Sequence, residues 1–193
     1  MSGLLPAATL VACTGPASAP EGPEDSGEMP GPDLDAMEFV AGLEVVAEAA
    51  YRQALASLTA GQLGEVPAAG SELLQSAATQ HGQCLAAINH LLESAGRKAV
   101  TEPNIEFDLS VVTPELTAAK GWPQIAFLAR TIETALAATY LQAIQSTLQA
   151  RSTLRLAGGI QATGQKRVAI LNFLLGEYPV PDAFQKTDAA LTA

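Results

Sequence analysis

The sequence predicts an all-α protein, a four-helix bundle of two helical hairpins with one long crossover between helices 2 and 3. Composition, the spacing of apolar residues and an internal repeat carry that prediction. Hydrophobic residues fill 48% of the 193 positions, and the chain is rich in alanine, the strongest helix former. Apolar residues recur with the helical period in separate stretches bounded by Gly and Pro. Two motifs of the first half return in the second half in the same order.

The N-terminal region reads as an address. Leu4 to Cys13 is a short apolar stretch that ends Leu10-Val11-Ala12-Cys13. A branched residue, small residues and then Cys resemble the lipobox of bacterial lipoproteins, whose cysteine thiol is acylated after cleavage. Met1-Ser2-Gly3 departs from a signal peptide in lacking Lys or Arg. Thr14 to Pro32 is rich in Pro, Gly, Ser and acids and buries too little apolar surface to offset its ordering entropy, so it reads as a disordered tether. The expected organisation is a signal-like segment over 1–13, a tether over 14–32, a bundle over 33–185 and a tail over 186–193. Such a chain is expected outside the cytoplasm, on the membrane only through a lipid on Cys13.

The first helix is expected from an N-cap at Asp33 or Asp35 to Thr59, before Gly61 and Gly64. Phe39, Val40, Leu43, Val46, Ala47, Ala50, Tyr51 and Leu55 supply its apolar stripe. The second is expected from Ser71 to just before Gly96, with Leu74, Ala77, Ala78, Leu85, Ile88 and Leu91 inward. Pro103 and Pro114 punctuate residues 97–121, and Phe107 to Val112 reads as a short extended piece. A third helix opens at Trp122-Pro123, with Pro in its favoured place. A fourth ends by Gly176, ahead of Pro179 and Pro181, and the turn between the last two falls near Ser146 to Ser152.

The repeat is the sharper signal. Leu43-Glu44 followed by Tyr51-Arg52-Gln53-Ala54-Leu55 recurs as Ile132-Glu133 followed by Tyr140-Leu141-Gln142-Ala143-Ile144. Leu85 to Leu92 (LAAINHLL) recurs as Val168 to Leu175 (VAILNFLL). Each half is therefore a helical hairpin, and the link between them is too long for a tight turn.

On these residues, and on the closing Leu174-Leu175-Gly176-Glu177-Tyr178-Pro179-Val180-Pro181-Asp182-Ala183-Phe184, the chain resembles the ferritin-like superfamily. More narrowly it is similar to the secreted bacterial ferritin-like domain family related to plant desiccation-related proteins, from about Asp33 to Phe184. The resemblance implies a di-iron site in which two helices each give a Glu and two each give a Glu-x-x-His pair. Residues i and i+3 share a helix face, so such a pair reaches one ion. The single glutamates match Glu44 and Glu133, while the pairs fall on His81 and Cys84 and on Gly164 and Arg167. No Glu-x-x-His occurs in the chain. Tyr51 and Tyr140 match the family's tyrosines beside the metal site, or are simply core aromatics hydrogen-bonded at the bundle centre.

Two readings of this degenerate site follow. In the first no cofactor is expected: Arg167, which stays protonated, replaces the metal by pairing with Glu44 and Glu133, since buried carboxylates are costly unless neutralised. In the second, Glu44, His81, Cys84 and Glu133 hold a single zinc or another ion such as iron. His90, whose repeat partner is Phe173, reads as packing. Gly158, Gly159 and Gly164 mark close helix approach or a bulge, and Asn89 and Asn172 are candidates for caps or bridges.

Charge and motif inventory narrow the function. Twenty acids against ten bases give a formal charge of −10. Glu21, Glu24, Asp25, Glu28, Asp33, Asp35, Glu38, Glu44 and Glu48 all precede the first base, Arg52. No net basic surface is available for nucleic acid. No apolar run approaches the length of a bilayer span. The Gly-rich phosphate loop, the Gly-x-Ser-x-Gly elbow and the His-Glu-x-x-His helix are missing. Two histidines leave few general bases, so the sequence points to a structural or interaction module more than to an enzyme, with self-association as one route to a partner.

Overall fold

The computed structural model describes Met29 to Thr192. Cys13, the signal-like segment and most of the tether lie outside the described residues. Four long helices form the bundle: α1 (Gly31–Thr59), α2 (Ala68–Ser94), α5 (Trp122–Ser146) and α6 (Arg151–Leu174). Helices α1 and α2 pack as one antiparallel hairpin, and α5 and α6 as the other. The crossover holds the short helices α3 (Ile105–Phe107) and α4 (Thr113–Ala118) with a π-helical turn over Asp108–Val112 between them. Among the described residues no helix is long and apolar enough to cross a membrane.

Most boundaries follow from local chemistry. Proline occupies the first turn of α1 and of α5, where its missing N–H would have no helical partner anyway. Gly61 and Gly96 follow the ends of α1 and α2 at φ +70° and +78°, a region that L side chains avoid. The turn between α5 and α6 falls at 147–150, inside the expected stretch.

Several expectations change. Asp33 does not cap α1, which starts two residues earlier. Its fully buried carboxylate accepts the N–H groups of Gln149 and Ala150 and the Thr153 hydroxyl at 2.6–3.1 Å, so it pins the turn that leads into α6 from a distant part of the chain. Phe107 to Val112 is helical, not extended: the Asn104 side chain accepts the Phe107 N–H, and Phe107 and Val112 bury against Leu43, Leu128 and Ile132. Tertiary burial thereby overrides the β-branched preference of Val111 and Val112. His90 is exposed, as is its repeat partner Phe173, so neither packs in the core.

Asn89 and Asn172 each pin the chain that follows their own helix. Asn89 exchanges two hydrogen bonds with the backbone of Val100, and the Asn172 amide donates to the Pro179 carbonyl. Gly158 and Gly159 have open space where a Cβ would sit and mark neither a bulge nor a close approach. Gly70 does mark one: a Cβ there would lie 2.6 Å from the Trp122 ring, which crosses the start of α2.

The apolar core falls into three parts. One surrounds Tyr51, Leu74 and Trp122, a second surrounds Met37, Leu92 and Tyr140, and a third joins the crossover to α1 and α5. The two tyrosines therefore belong to different core clusters, and the polar centre lies between them. The C-terminal segment folds back, with the Leu191 N–H donating to Thr139 Oγ1.

Candidate functional site: a buried charge cluster at the bundle centre

Each long helix sends one charged side chain inward at the same level: Glu44 from α1, His81 from α2, Glu133 from α5 and Arg167 from α6. Glu44, His81 and Glu133 are fully buried and Arg167 is 4% exposed. The helical period alone places them there, since each lies on the stripe that also carries its helix's core residues.

His81 stands between the carboxylates. Nδ1 lies 2.6 Å from Glu44 Oε2 and Nε2 lies 3.1 Å from Glu133 Oε1. A neutral imidazole has one N–H, so only the imidazolium donates to both. Burial pulls the ring's pKa down, but the charges of Glu44 and Glu133 and the bonds to them outweigh this and hold it at about 9. The ring stacks on Tyr51 with centroids 5.3 Å apart, which fixes its plane.

Arg167 takes a different partner set from the expected one. Its Nε donates to Glu133 Oε1 at 2.6 Å and its Nη1 donates to Gln80 Oε1 at 2.8 Å. It does not pair with Glu44, because His81 already occupies the space between the carboxylates and satisfies Glu44 instead. The expected Arg167–Glu44 pair is thus corrected to a His81–Glu44 pair. Burial raises the Glu133 pKa, but His81 and then Arg167 more than offset it and hold the carboxyl below its ordinary value.

The tyrosines are hydrogen-bonded, and the bonds are exchanged between the hairpins. Tyr51 of α1 donates to Glu133 Oε1 of α5 at 2.8 Å, and Tyr140 of α5 donates to Glu44 Oε1 of α1 at 2.7 Å. Burial, reinforced by the facing carboxylates, pushes both phenols well above their ordinary pKa, so both remain donors. The cluster thus sets two carboxyl groups, Glu44 and Glu133, against two basic side chains, His81 and Arg167.

Gly164 gives no ligand. A Cβ at this position would lie 3.7 Å from Glu133 Oε2, which is buried and has no hydrogen-bond partner among the described residues. Cys84 follows His81 by one turn and packs with the cluster around Tyr140. Burial, then Glu44, pushes its thiol up to about 12, far from the thiolate that binds metals.

The donor set does not fit a di-iron pair. Both His81 nitrogens are committed to carboxylates, Arg167 puts a fixed positive charge on Glu133, and Gly164 has no side chain. Among the described residues no group of three or more His, Cys, Asp or Glu is arranged to hold a metal ion. Gln80 and Asp33 are the polar residues that sequence reasoning misplaced or missed. Gln80 precedes His81 but carries no motif, and the partners of Asp33 are remote in sequence.

The family model for the ferritin-like domain matches residues 32–177. The chain belongs to the ferritin-like domain family. No relative was found among curated proteins. In this ferritin-like protein the match covers all four long helices and the crossover, and its C-terminal limit is the segment pinned by Asn172.

Proposed function

We propose that this ferritin-like protein is a non-catalytic structural or interaction module, held outside the cytoplasm by a lipid on Cys13. In this reading it sits with the secreted bacterial ferritin-like proteins and carries a degenerate site, where an internal ion cluster takes the place of metal. The observation that supports it is the pairing of two cations with two carboxylates at the bundle centre: His81 with both Glu44 and Glu133, and Arg167 with Glu133. A cation arriving there would have to displace the imidazolium proton and approach a guanidinium. Both steps oppose binding in a low-dielectric interior.

Elemental analysis of the purified chain after exposure to iron, manganese and zinc tests this reading. Well under one metal per chain is the expected result. About one zinc per chain, lost in Cys84→Ala, would replace it with a single zinc held by Glu44, His81, Cys84 and Glu133. The anchor is tested separately. Cys13→Ser should abolish fatty-acid incorporation and release the protein from the membrane fraction, and a wild-type chain that takes up no lipid overturns that part alone.

A further inference from the structure

The chain's own C-terminal segment lies in a groove along α5. Ala189 borders a hollow of about 380 Å³ beside Phe107 and Val111 of the crossover. Thr192 borders a second hollow, of about 370 Å³, beside Ala36 and Val40 of α1. Leu191 lines both, so the two are one groove with this leucine seated at its middle. Its N–H donates to Thr139 Oγ1 at 2.9 Å, and its side chain packs against the core cluster that holds Leu43, Phe107 and Ile132. Each hollow beside it has the volume of a small binding pocket.

A row of hydroxyls on α5 indicates what the groove accepts. Thr131, Thr139 and Ser146 all line it, and each donates its hydroxyl proton to the carbonyl four residues earlier, of Phe127, Ala135 and Gln142. Each oxygen keeps lone pairs for a further donor, and the middle one already takes a peptide N–H. At 1.5 Å per residue the row spans about 22 Å, the reach of roughly seven extended residues. Charges at the margin are paired within the chain, Asp35 with Arg97 and Arg130 with Glu177. Apolar walls, a row of acceptors and paired charges suit an uncharged extended peptide with a bulky aliphatic side chain. An acyl chain has no N–H to offer the hydroxyls.

The C-terminal segment is held by little. Among the described residues only the Leu191–Thr139 bond and one between Gln161 and Gln185 tie residues 183–192 to the helices. Phe184, Lys186, Asp188 and Ala189 are exposed. A segment with so few contacts opens without unfolding the bundle. We propose that residues 185–192 are a releasable strap, and that the groove beneath takes an extended apolar peptide of a partner protein in the strap's place. Such docking is one form of the interaction role proposed above and rests on that reading for its purpose. Metal uptake decides that reading and leaves the groove untouched, so either fails alone.

Two measurements on the full chain test it. Hydrogen exchange should find the Leu191 amide protected about tenfold or more over an unstructured peptide, with a denaturant dependence far below that of the α5 amides. A labelled peptide of residues 185–193 should bind Leu191→Asp about tenfold or more tighter than the wild type, whose own strap competes for the groove. A peptide carrying the same substitution should bind neither. Leu191→Ala gives the same readout if Leu191→Asp fails to fold. A Leu191 amide without protection, or one that exchanges only on global unfolding, overturns the proposal. Equal or absent binding to wild type and variant does so too. So does a wild-type dimer in sedimentation equilibrium that Leu191→Asp dissolves, which would seat a second copy's C-terminal segment in the groove.

Discussion

Glu44 and Glu133 occupy equivalent places in the two hairpins, yet their surroundings differ. Glu44 is served on both oxygens, by Tyr140 on Oε1 and His81 on Oε2. Glu133 gathers Tyr51, His81 and Arg167 on Oε1 alone and leaves Oε2 without a donor, facing Gly164. The repeat keeps its Glu and Tyr positions and diverges at two others: His81 stands opposite Gly164, and Cys84 opposite Arg167. Two carboxylates at equivalent repeat positions are thus neutralised asymmetrically. A buried pair of like charges needs compensation, but nothing requires that it come equally from both hairpins.

Breaking the asymmetric partner should cost most. Arg167→Ala leaves Glu133 buried with one cation fewer and is expected to destabilise by about 3–5 kcal/mol in urea denaturation. A loss below about 1 kcal/mol would show that His81 neutralises both carboxylates unaided.

Titration probes the shared partner. The folded pKa of His81 is raised, so its contribution is complete below the ordinary value of 6.5 and disappears as pH rises through about 9. The Glu133 pKa is lowered, so its contribution holds above the ordinary value of 4.5 and is lost below it as its carboxyl protonates in the fold. Stability should therefore be greatest between those ordinary values and fall by up to about 3 kcal/mol on the alkaline side. Unfolding curves that stay flat from pH 6 to 10 would contradict an imidazolium at His81.

Tyrosine substitutions sharpen the comparison. Tyr140→Phe strips Glu44 Oε1 of its only donor among the described residues, whereas Tyr51→Phe leaves Glu133 Oε1 with two. The first should cost about 2 kcal/mol and the second about 1 kcal/mol. Equal losses in thermal unfolding would mean that the two carboxylates are equivalently supported. Smallest of all, Gly164→Ser brings a hydroxyl toward Glu133 Oε2, unpartnered among the described residues, in a space that accepts a Cβ, and should raise stability by about 0.5 kcal/mol. A destabilised variant would show that this space is too small for a hydroxyl.

The bundle and its membership were legible because both rest on local periodicity and on a repeat that preserves spacing. Glu44, His81, Glu133 and Arg167 were legible for the same reason: the helical period brings each to the inward stripe of its own helix. Their pairing was not. Whether Arg167 reaches Glu44 or Glu133 depends on how the four helices are offset against one another, which no spacing along one chain encodes. Phe107 to Val112 misled because β-branched residues suggest a strand wherever the surrounding core is unknown. Asp33 misled because an acidic residue near a helix start looks like that helix's own cap.

The amino-acid sequence by itself determined the four helices, their pairing into two hairpins and the charged residues that the interior must accommodate. These follow from side-chain periodicity and from backbone limits at Gly and Pro, which act within a few residues. Tertiary structure alone decided that His81 bridges the carboxylates, that Arg167 serves Glu133 and Gln80, and that Asp33 pins the turn before α6. Those outcomes depend on which donors and acceptors arrive within about 3 Å when four helices pack, where burial penalises every polar group left unpaired.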